Sequence, residues 1–481
     1  MLETIMILDC DQMLSGLIAR TLRSQDFYCE LASPDTTAAA LRAMNPKGII
    51  IAAENGGTVC ALDPSLLTSG LPVLALGAAA ATLCEMLGGT VTARRSETDN
   101  VTLGLENSPL LEGITGGERM LKNLCDLTLP PGAASIATAT ERSIGFSVDD
   151  RLFALQYNIE RNDPDSLHIL HNFANRICGV DPFWDANYII HAAVEEIREK
   201  SGEGRVLCAV SGGIDSAVSA KLAYMAVGDR LTCLFVDTGL FRKNEPKEVE
   251  AAFQEMPGIQ LRFTDAQAVF LKALEGVRSD AEKERIVSSL LKEVFYEQLN
   301  DYPDVTTIVL GTNYNDTLYG MPMPVKPPVH SDRKFITLEP IRALFKSEVK
   351  RLGTRLAMPP SIMSRQPFPA AGLASRVLGA VSPNKLQMLR DATAIFAEEI
   401  SHSGQEKRLW QYYASLSDNP EGRQGYAIIL RACQAGDGEA HAARLPYDLT
   451  ERVTERILSE IPRVKRVVYD LTPSYHYTFL E

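Results

Sequence analysis

Ser211-Gly212-Gly213-Ile214-Asp215-Ser216 follows the apolar run RVLCAV at 205–210 and leads directly into an Ala-rich helical stretch. A strand-to-helix turn of this composition suits an anion. Gly212 and Gly213 let the backbone approach closely, successive N–H groups and the helix N-terminus point at the ligand, and two Ser hydroxyls add donors. Asp215 is the odd member. A carboxylate beside a phosphate cradle is repulsive unless a cation lies between them, so Asp215 points to Mg²⁺ bridging the loop to a nucleotide polyphosphate.

The elements that must position this loop alternate between strand and helix. After an amphipathic helix at 186–200 and the loop strand come LTCLFVD (231–237), IQLRFTD (259–265) and TTIVLGT (306–312), separated by helical stretches of which the longest is 281–299. In a parallel sheet Ser211, Asp237, Asp265 and Gly311 should line one crevice at the carboxyl ends of the strands. Upstream, TIMILD (4–9), FYCELA (27–32), KGIIIAA (47–53) and LPVLAL (71–76) read as buried strands between helical runs at 17–25 and 78–86. SIGFSV (143–148) and LFALQY (152–157) read as antiparallel strands at one side, before a helix at 167–177 and a linker at 178–185. Beyond Arg365, helices at 383–400 and 451–460 accompany a last strand at 464–471. The expected fold class is α/β: two parallel-sheet domains followed by a C-terminal α+β domain.

Composition bounds the function. With 48 Lys and Arg against 61 Asp and Glu, the net charge is −13, which argues against coating nucleic acid but not against a nucleotide site. The longest apolar stretch, 71–83, is interrupted by Pro72 and Gly77 and is too short for a bilayer, so no membrane span is expected. MLETIMILD lacks the positive charge of a signal peptide, and the nine Cys are scattered without a CxxC pair. A cytoplasmic protein without disulfides or a zinc site is expected.

SGGIDS resembles the pyrophosphate loop of the N-type ATP pyrophosphatases, which cleave ATP between the α and β phosphates. Its surroundings resemble the GMP synthase family: VDTGLFRKNE (236–245), GTNYND (311–316), LEPIRALFKSEVKRLG (338–353), RQPFPAAGL (365–373), RVLGAVSPNKLQMLRDATAIFAEEI (376–400), LPYD (445–448) and RVVYD (466–470). The resemblance implies an ATP pyrophosphatase domain of the adenine nucleotide alpha hydrolase-like type over 181–364. It also implies a C-terminal domain over 365–481 that dimerises and completes the acceptor-nucleotide site. By the same resemblance Ser211, Gly212, Gly213, Asp215 and Ser216 hold pyrophosphate and Mg²⁺. Lys346 is either a further phosphate contact or a solvated helix residue. Asp237 and Gly311 join the ATP site by their places at strand ends. Arg365, Arg431 and the terminal Glu481 are candidates for the acceptor, with surface ion pairing the favoured alternative for Arg431.

Residues 1–180 are similar, more weakly, to a class I glutamine amidotransferase domain. Such a domain needs a nucleophilic Cys on a strand-to-helix elbow, a His base, a Glu to orient it, and backbone donors for the oxyanion. Laid on that pattern, the nucleophile falls at Gly77 and the His at Asn158. Only the Glu survives, as Glu160, and the oxyanion loop reads Ala52-Ala53-Glu54-Asn55. Cys84 lies two helical turns past the elbow, about 10 Å along the axis, and reads as a packed residue. Glutamine hydrolysis is therefore not expected.

The acceptor half departs from the family as well. The segment at 321–335 is short and Pro-rich with one His, HPFPGPG has become QPFPAAG (366–372), and the terminal GKPP turn is replaced by 471–478, which lacks the Lys. The leading expectation is an enzyme that uses ATP and Mg²⁺ to adenylate an acceptor, xanthosine 5′-monophosphate or a relative. Pyrophosphate leaves first, and ammonia then displaces AMP. The alternatives are a paralogue with a different acceptor and a nucleotide-binding regulatory pseudoenzyme. A homodimer through the third domain is expected from the apolar stripe Leu386, Leu389, Ile395 and Phe396, whose face needs a cover, and a separate protein is a possible source of ammonia.

Overall fold

In a computed structural model of the chain, the described residues are 2–57, 59, 62–93, 98–318, 334–418, 425–436 and 439–472. The chain divides into two units, Met1–Tyr188 and Ile189–Glu481.

The first unit is built on a nine-stranded sheet. Its order is Cys29–Ala32, Ile5–Leu8, Gly48–Ala53, Val73–Gly77, Leu152–Leu155, Arg142–Val148, Ala134–Ala139, Thr98–Leu105 and Gly117–Lys122. The first five are parallel to one another and the remaining pairs are antiparallel. Strand Leu152–Leu155 corrects the sequence expectation. It leaves Arg142–Val148 through a tight turn in which Asp149 and Asp150 have φ of 52° and 48°, so that pair is antiparallel, yet its other edge runs parallel to Val73–Gly77. It is the seam of a mixed sheet. The helix Gln12–Ser24 starts where the Asp11 carboxylate accepts from the Met13 and Leu14 N–H groups, capping donors that have no partner within the helix. It buries Leu14, Ile18 and Leu22.

The second unit carries two sheets. The first runs Leu261–Asp265, Leu231–Asp237, Arg205–Val210, Val305–Val309, Ile336–Leu338, parallel throughout. Chain order reverses between Arg205–Val210 and Val305–Val309. A parallel sheet opens its ligand crevice at such a reversal, so the loop at 211–216 and the segment from Gly311 sit where the topology leaves a gap. The second sheet is mixed and contains Val377–Leu378, Gln411–Asp418, Tyr426–Gly436, Glu439–Ala442 and Val464–Tyr469. Helices Pro383–His402 and Tyr447–Glu460 pack on it. One continuous apolar core joins both sheets, running from Val236, Leu240 and Phe270 to Leu389, Leu416 and Ile457.

Helix Pro383–His402 begins with Ser382, whose hydroxyl accepts from the Lys385 N–H. Its apolar stripe is buried within the chain: Leu386 and Leu389 are 0% exposed, Ile395 4% and Phe396 1%. Ala414, Leu416, Ile428 and Leu430 of the sheet share the core with it. The face expected to need a second copy as its cover therefore already has one, and the stripe is no argument for a dimer. Truncation of Leu389 to Ala is expected to cost about 2–5 kcal/mol, the usual range for an emptied core site, in denaturant unfolding. The mass in solution should match the parent's. A changed mass without lost stability would show that the stripe is an intermolecular contact after all.

Candidate active site

Strand Arg205–Val210 ends at Ser211 and helix Ile214–Val227 begins three residues later. Gly212 has φ 84°, in the left-handed region that favours glycine. Gly213 is the N-cap and no side chain caps the helix, so the first-turn N–H groups are left for an anion. The two hydroxyls brace the loop. Ser216 Oγ accepts from the Ser211 N–H at 3.1 Å, donates to the Gly213 carbonyl at 3.1 Å and lies 3.1 Å from Ser211 Oγ. Ser211 Oγ in turn accepts from the Gly213 N–H at 3.4 Å. Across the gap, a Cβ on Gly311 would lie 2.7 Å from Ser216 N. Glycine at 311 is thus required by close backbone packing against the first turn of the loop helix.

Asp215 Oδ2 pairs with Lys346 Nζ at 2.5 Å, both side chains being largely buried. Asp215 Oδ1 is buried without a partner. An orphaned carboxylate oxygen at a phosphate loop is what a bridging cation would satisfy, so the loop fits Mg²⁺. Lys346 is the first residue of helix Lys346–Arg355, where the macrodipole favours acids over bases. The cap is supplied by Glu348, whose carboxylate accepts from the Phe345 N–H at 2.8 Å. A cation in this position is unfavourable for the helix alone, and its side chain turns to the loop rather than to solvent.

Asp316, the last residue of GTNYND, is a site carboxylate that the sequence analysis does not name. Its Oδ2 accepts from the Asn313 N–H at 2.9 Å, and its own N–H donates to Asn313 Oδ1 at 3.2 Å. Burial pushes its carboxyl up, and the charge of Asp215 adds to that while Lys346 opposes it. The signal that could have found it is positional: it is a carboxylate just beyond the strand across the sheet's reversal.

Asp237 and Asp265 are register partners at the ends of adjacent strands. Asp237 accepts from the Gly239 N–H at 2.9 Å and from Gln267 Nε2 at 3.1 Å, and burial, with the nearby Asp265 charge, raises its carboxyl. These hydrogen bonds make Asp237 an organiser of the turn that follows its strand. Arg365 donates from Nη1 to the Gly212 carbonyl at 2.7 Å. Arg431 lies on the second sheet, 3.5 Å from Asp470 and donating to the Thr472 carbonyl at 2.5 Å. Arg242 donates to the Gln366 and Pro367 carbonyls at 3.1 and 2.9 Å, and its guanidinium lies 4.3 Å from the Phe368 ring centre. Glu481, residues 321–333 and residues 473–478 lie outside the described residues.

In the first unit, Gly77 has φ 63° and ψ −128° at the start of helix Ala78–Met86. A Cβ there would lie 2.0 Å from the Ala53 carbonyl oxygen. Asn158 Oδ1 accepts from the Asn55 N–H at 3.3 Å, which ties it to the last residue of the Ala52-Ala53-Glu54-Asn55 loop. Glu160 is exposed, its N–H donating to Ser166 Oγ at 3.0 Å. Cys84 is fully buried, burial pushes its thiol up, and its Sγ donates to the Thr128 carbonyl at 3.5 Å. It is a packed residue.

The loop, its lysine and the five-stranded sheet define an ATP pyrophosphatase-type ligase, and the comparisons agree: residues 187–379 match the family model described as NAD synthase, and residues 398–478 match GMP synthase C terminal domain. Proteins named GMP synthase (glutamine-hydrolyzing) match nearly end to end. The one from Symbiobacterium thermophilum is 36% identical over 98% of this chain and 97% of its own. That from Carboxydothermus hydrogenoformans is 36% identical over 98% of both chains, and that from Acetivibrio thermocellus 35% identical over 98% of both. The chain belongs to the GMP synthase family, an enzyme family of ATP-dependent amination. Among the described residues no helix is long and apolar enough to cross a membrane.

Proposed function

We propose that this chain adenylates an oxygen of a nucleotide acceptor, xanthosine 5′-monophosphate or a relative, and that free ammonia then displaces AMP, with no hydrolysis of glutamine. The observation that carries the reading is the Asp215–Lys346 pair on an uncapped helix start at the sheet's reversal. The acceptor oxygen attacks the α-phosphorus, the bond to the bridging oxygen breaks, and pyrophosphate leaves with the electron pair. Ammonia nitrogen then bonds to the activated carbon, loses a proton, and the carbon–oxygen bond to AMP breaks. First-turn N–H groups of helix Ile214–Val227 hold the phosphate oxygens, and Lys346, positioned by Asp215, adds a charge-assisted donor. Mg²⁺, held through Asp215, would neutralise phosphate charge and orient the leaving group.

The domain assignment follows the same reading: an inactive glutaminase-like domain over 1–180, the pyrophosphatase over 181–364 and the acceptor domain over 365–481. Cytoplasmic location, a homodimer and a separate ammonia supplier complete it. The dimer now rests on family resemblance alone. Loss of the nucleophile is supported by Gly77, whose missing side chain leaves the space that the Ala53 carbonyl fills.

A shifted acceptor is the second reading, favoured by Gln366-Pro367-Phe368-Pro369-Ala370-Ala371 and by a C-terminal stretch without the phosphate-gripping Lys. Losing one charge-assisted hydrogen bond weakens binding by roughly 10- to 150-fold. Pyrophosphate release with ammonium, measured over a panel of acceptors, separates the readings. Xanthosine monophosphate should support release but bind weakly. Tight binding that requires its phosphate would sink the shifted-acceptor reading, and release with no acceptor in the panel would sink the amination reading.

A further inference from the structure

Arg365 was placed with the acceptor by its motif, yet the side chain lies on the ATP loop. Its Nη1 donates to the Gly212 carbonyl at 2.7 Å, and the guanidinium covers that residue so closely that a Cβ at 212 would lie 2.8 Å from Nη1. The backbone holding it belongs to the loop's surroundings. Arg365 follows helix Pro360–Met363, which packs on helices Ile214–Val227 and Glu245–Gln254, and its N–H donates to the Ile362 carbonyl at 3.4 Å.

The charge around it is unbalanced. Arg242 stands nearby: burial chiefly lowers its pKa and the charge of Arg365 adds to that, while Glu245 at 3.3 Å opposes it. Among the described residues no carboxylate pairs with Arg365, and its single side-chain hydrogen bond leaves most of the guanidinium fork unused. A planar cation with spare donors, fixed on the second residue of a phosphate-cradling loop, matches phosphate oxygens in geometry and charge.

We propose that Arg365 binds the β- and γ-phosphates of ATP and then the departing pyrophosphate, so that it is a leaving-group residue rather than an acceptor residue. This rests on the amination reading. When the acceptor oxygen bonds to the α-phosphorus and the α–β bridge breaks, the electron pair stays on the pyrophosphate oxygen, and Arg365 stabilises that charge.

The test uses the full chain and inorganic pyrophosphate as probe. Calorimetric titration of pyrophosphate with magnesium should show R365Q binding roughly 10- to 150-fold more weakly than the parent, and R365K, which keeps charge but not the fork, falling between them. In turnover, R365Q should lower kcat for pyrophosphate release by about 10²-fold with the KM for acceptor little changed. Equal pyrophosphate affinity in R365Q and parent overturns the proposal, as does a rise in acceptor KM alone. If R365Q does not fold by circular dichroism, R365K decides by the same titration. A parent that binds pyrophosphate but releases none with any acceptor would refute the amination reading while leaving the Arg365 comparison intact.

Discussion

The D215N protein is expected to release pyrophosphate from ATP about 10²–10³-fold more slowly than the parent at saturating magnesium and acceptor, a loss in the range seen when a preorganised charge-stabilising group is removed. In the proposed reaction Asp215 has two tasks, one for each oxygen. Oδ2 holds Lys346 at 2.5 Å, and Oδ1, buried without a partner, is the oxygen that a magnesium ion would satisfy. Asparagine keeps the shape but lacks the charge for both. The variant should be somewhat less stable, because the Lys346 ammonium loses its charged partner, but circular dichroism should still show a folded chain. Turnover equal to the parent's would remove Asp215 from the reaction.

Glutamine supplied to the pure protein is expected to yield no glutamate above background, with or without ATP and acceptor, and G77C is not expected to restore it. The backbone at 77 has φ 63°, a strained setting for any side chain, and the Ala53 carbonyl oxygen occupies the Cβ position at 2.0 Å. A thiol placed there must first displace strand Gly48–Ala53. The strain and the overpacking each cost about 1–3 kcal/mol, so G77C should melt at a lower temperature and remain inactive. Asn158, bonded to the Asn55 N–H, cannot take a proton from it near neutral pH. Glutamate formation blocked by a thiol-directed reagent would contradict this. Cys84 is then a poor suspect, because it is fully buried and its thiol is held protonated.

Much of this architecture is legible in the sequence because the central strands are short apolar runs bounded by charge or glycine. RVLCAV and LTCLFVD occupy exactly their expected residues, Arg205–Val210 and Leu231–Asp237. Gly117–Lys122 gives no such signal, because half of its residues face solvent and it contains no apolar run. Pairing was harder to see than existence. Nothing within LFALQY indicates that one edge of Leu152–Leu155 meets a parallel neighbour, since that neighbour, Val73–Gly77, lies far away in the chain. The same holds in the site. The loop is local and legible in six consecutive residues, whereas the Arg365 bond to Gly212 spans 153 residues and the Lys346 bond to Asp215 spans 131. The stripe on helix Pro383–His402 is apolar in the sequence and buried in the structure. What covers it is a tertiary fact, and periodicity cannot tell a neighbouring strand from a second chain.

The shared core of the second unit bears on how such an enzyme can be re-engineered. Position 364/365 looks like a natural joint for grafting another acceptor segment onto this ATP machinery. Yet Val236, Leu240 and Phe270 on one side of the joint are packed in the same core as Leu373, Leu389 and Ile457 on the other, and buried Lys283 donates to the Val377 carbonyl at 2.6 Å across it. A chimera cut there inherits mismatched partners on both sides. Exchange of specificity in this scaffold is therefore more tractable through surface loops than by swapping whole modules, with the two halves changing together whenever the core does.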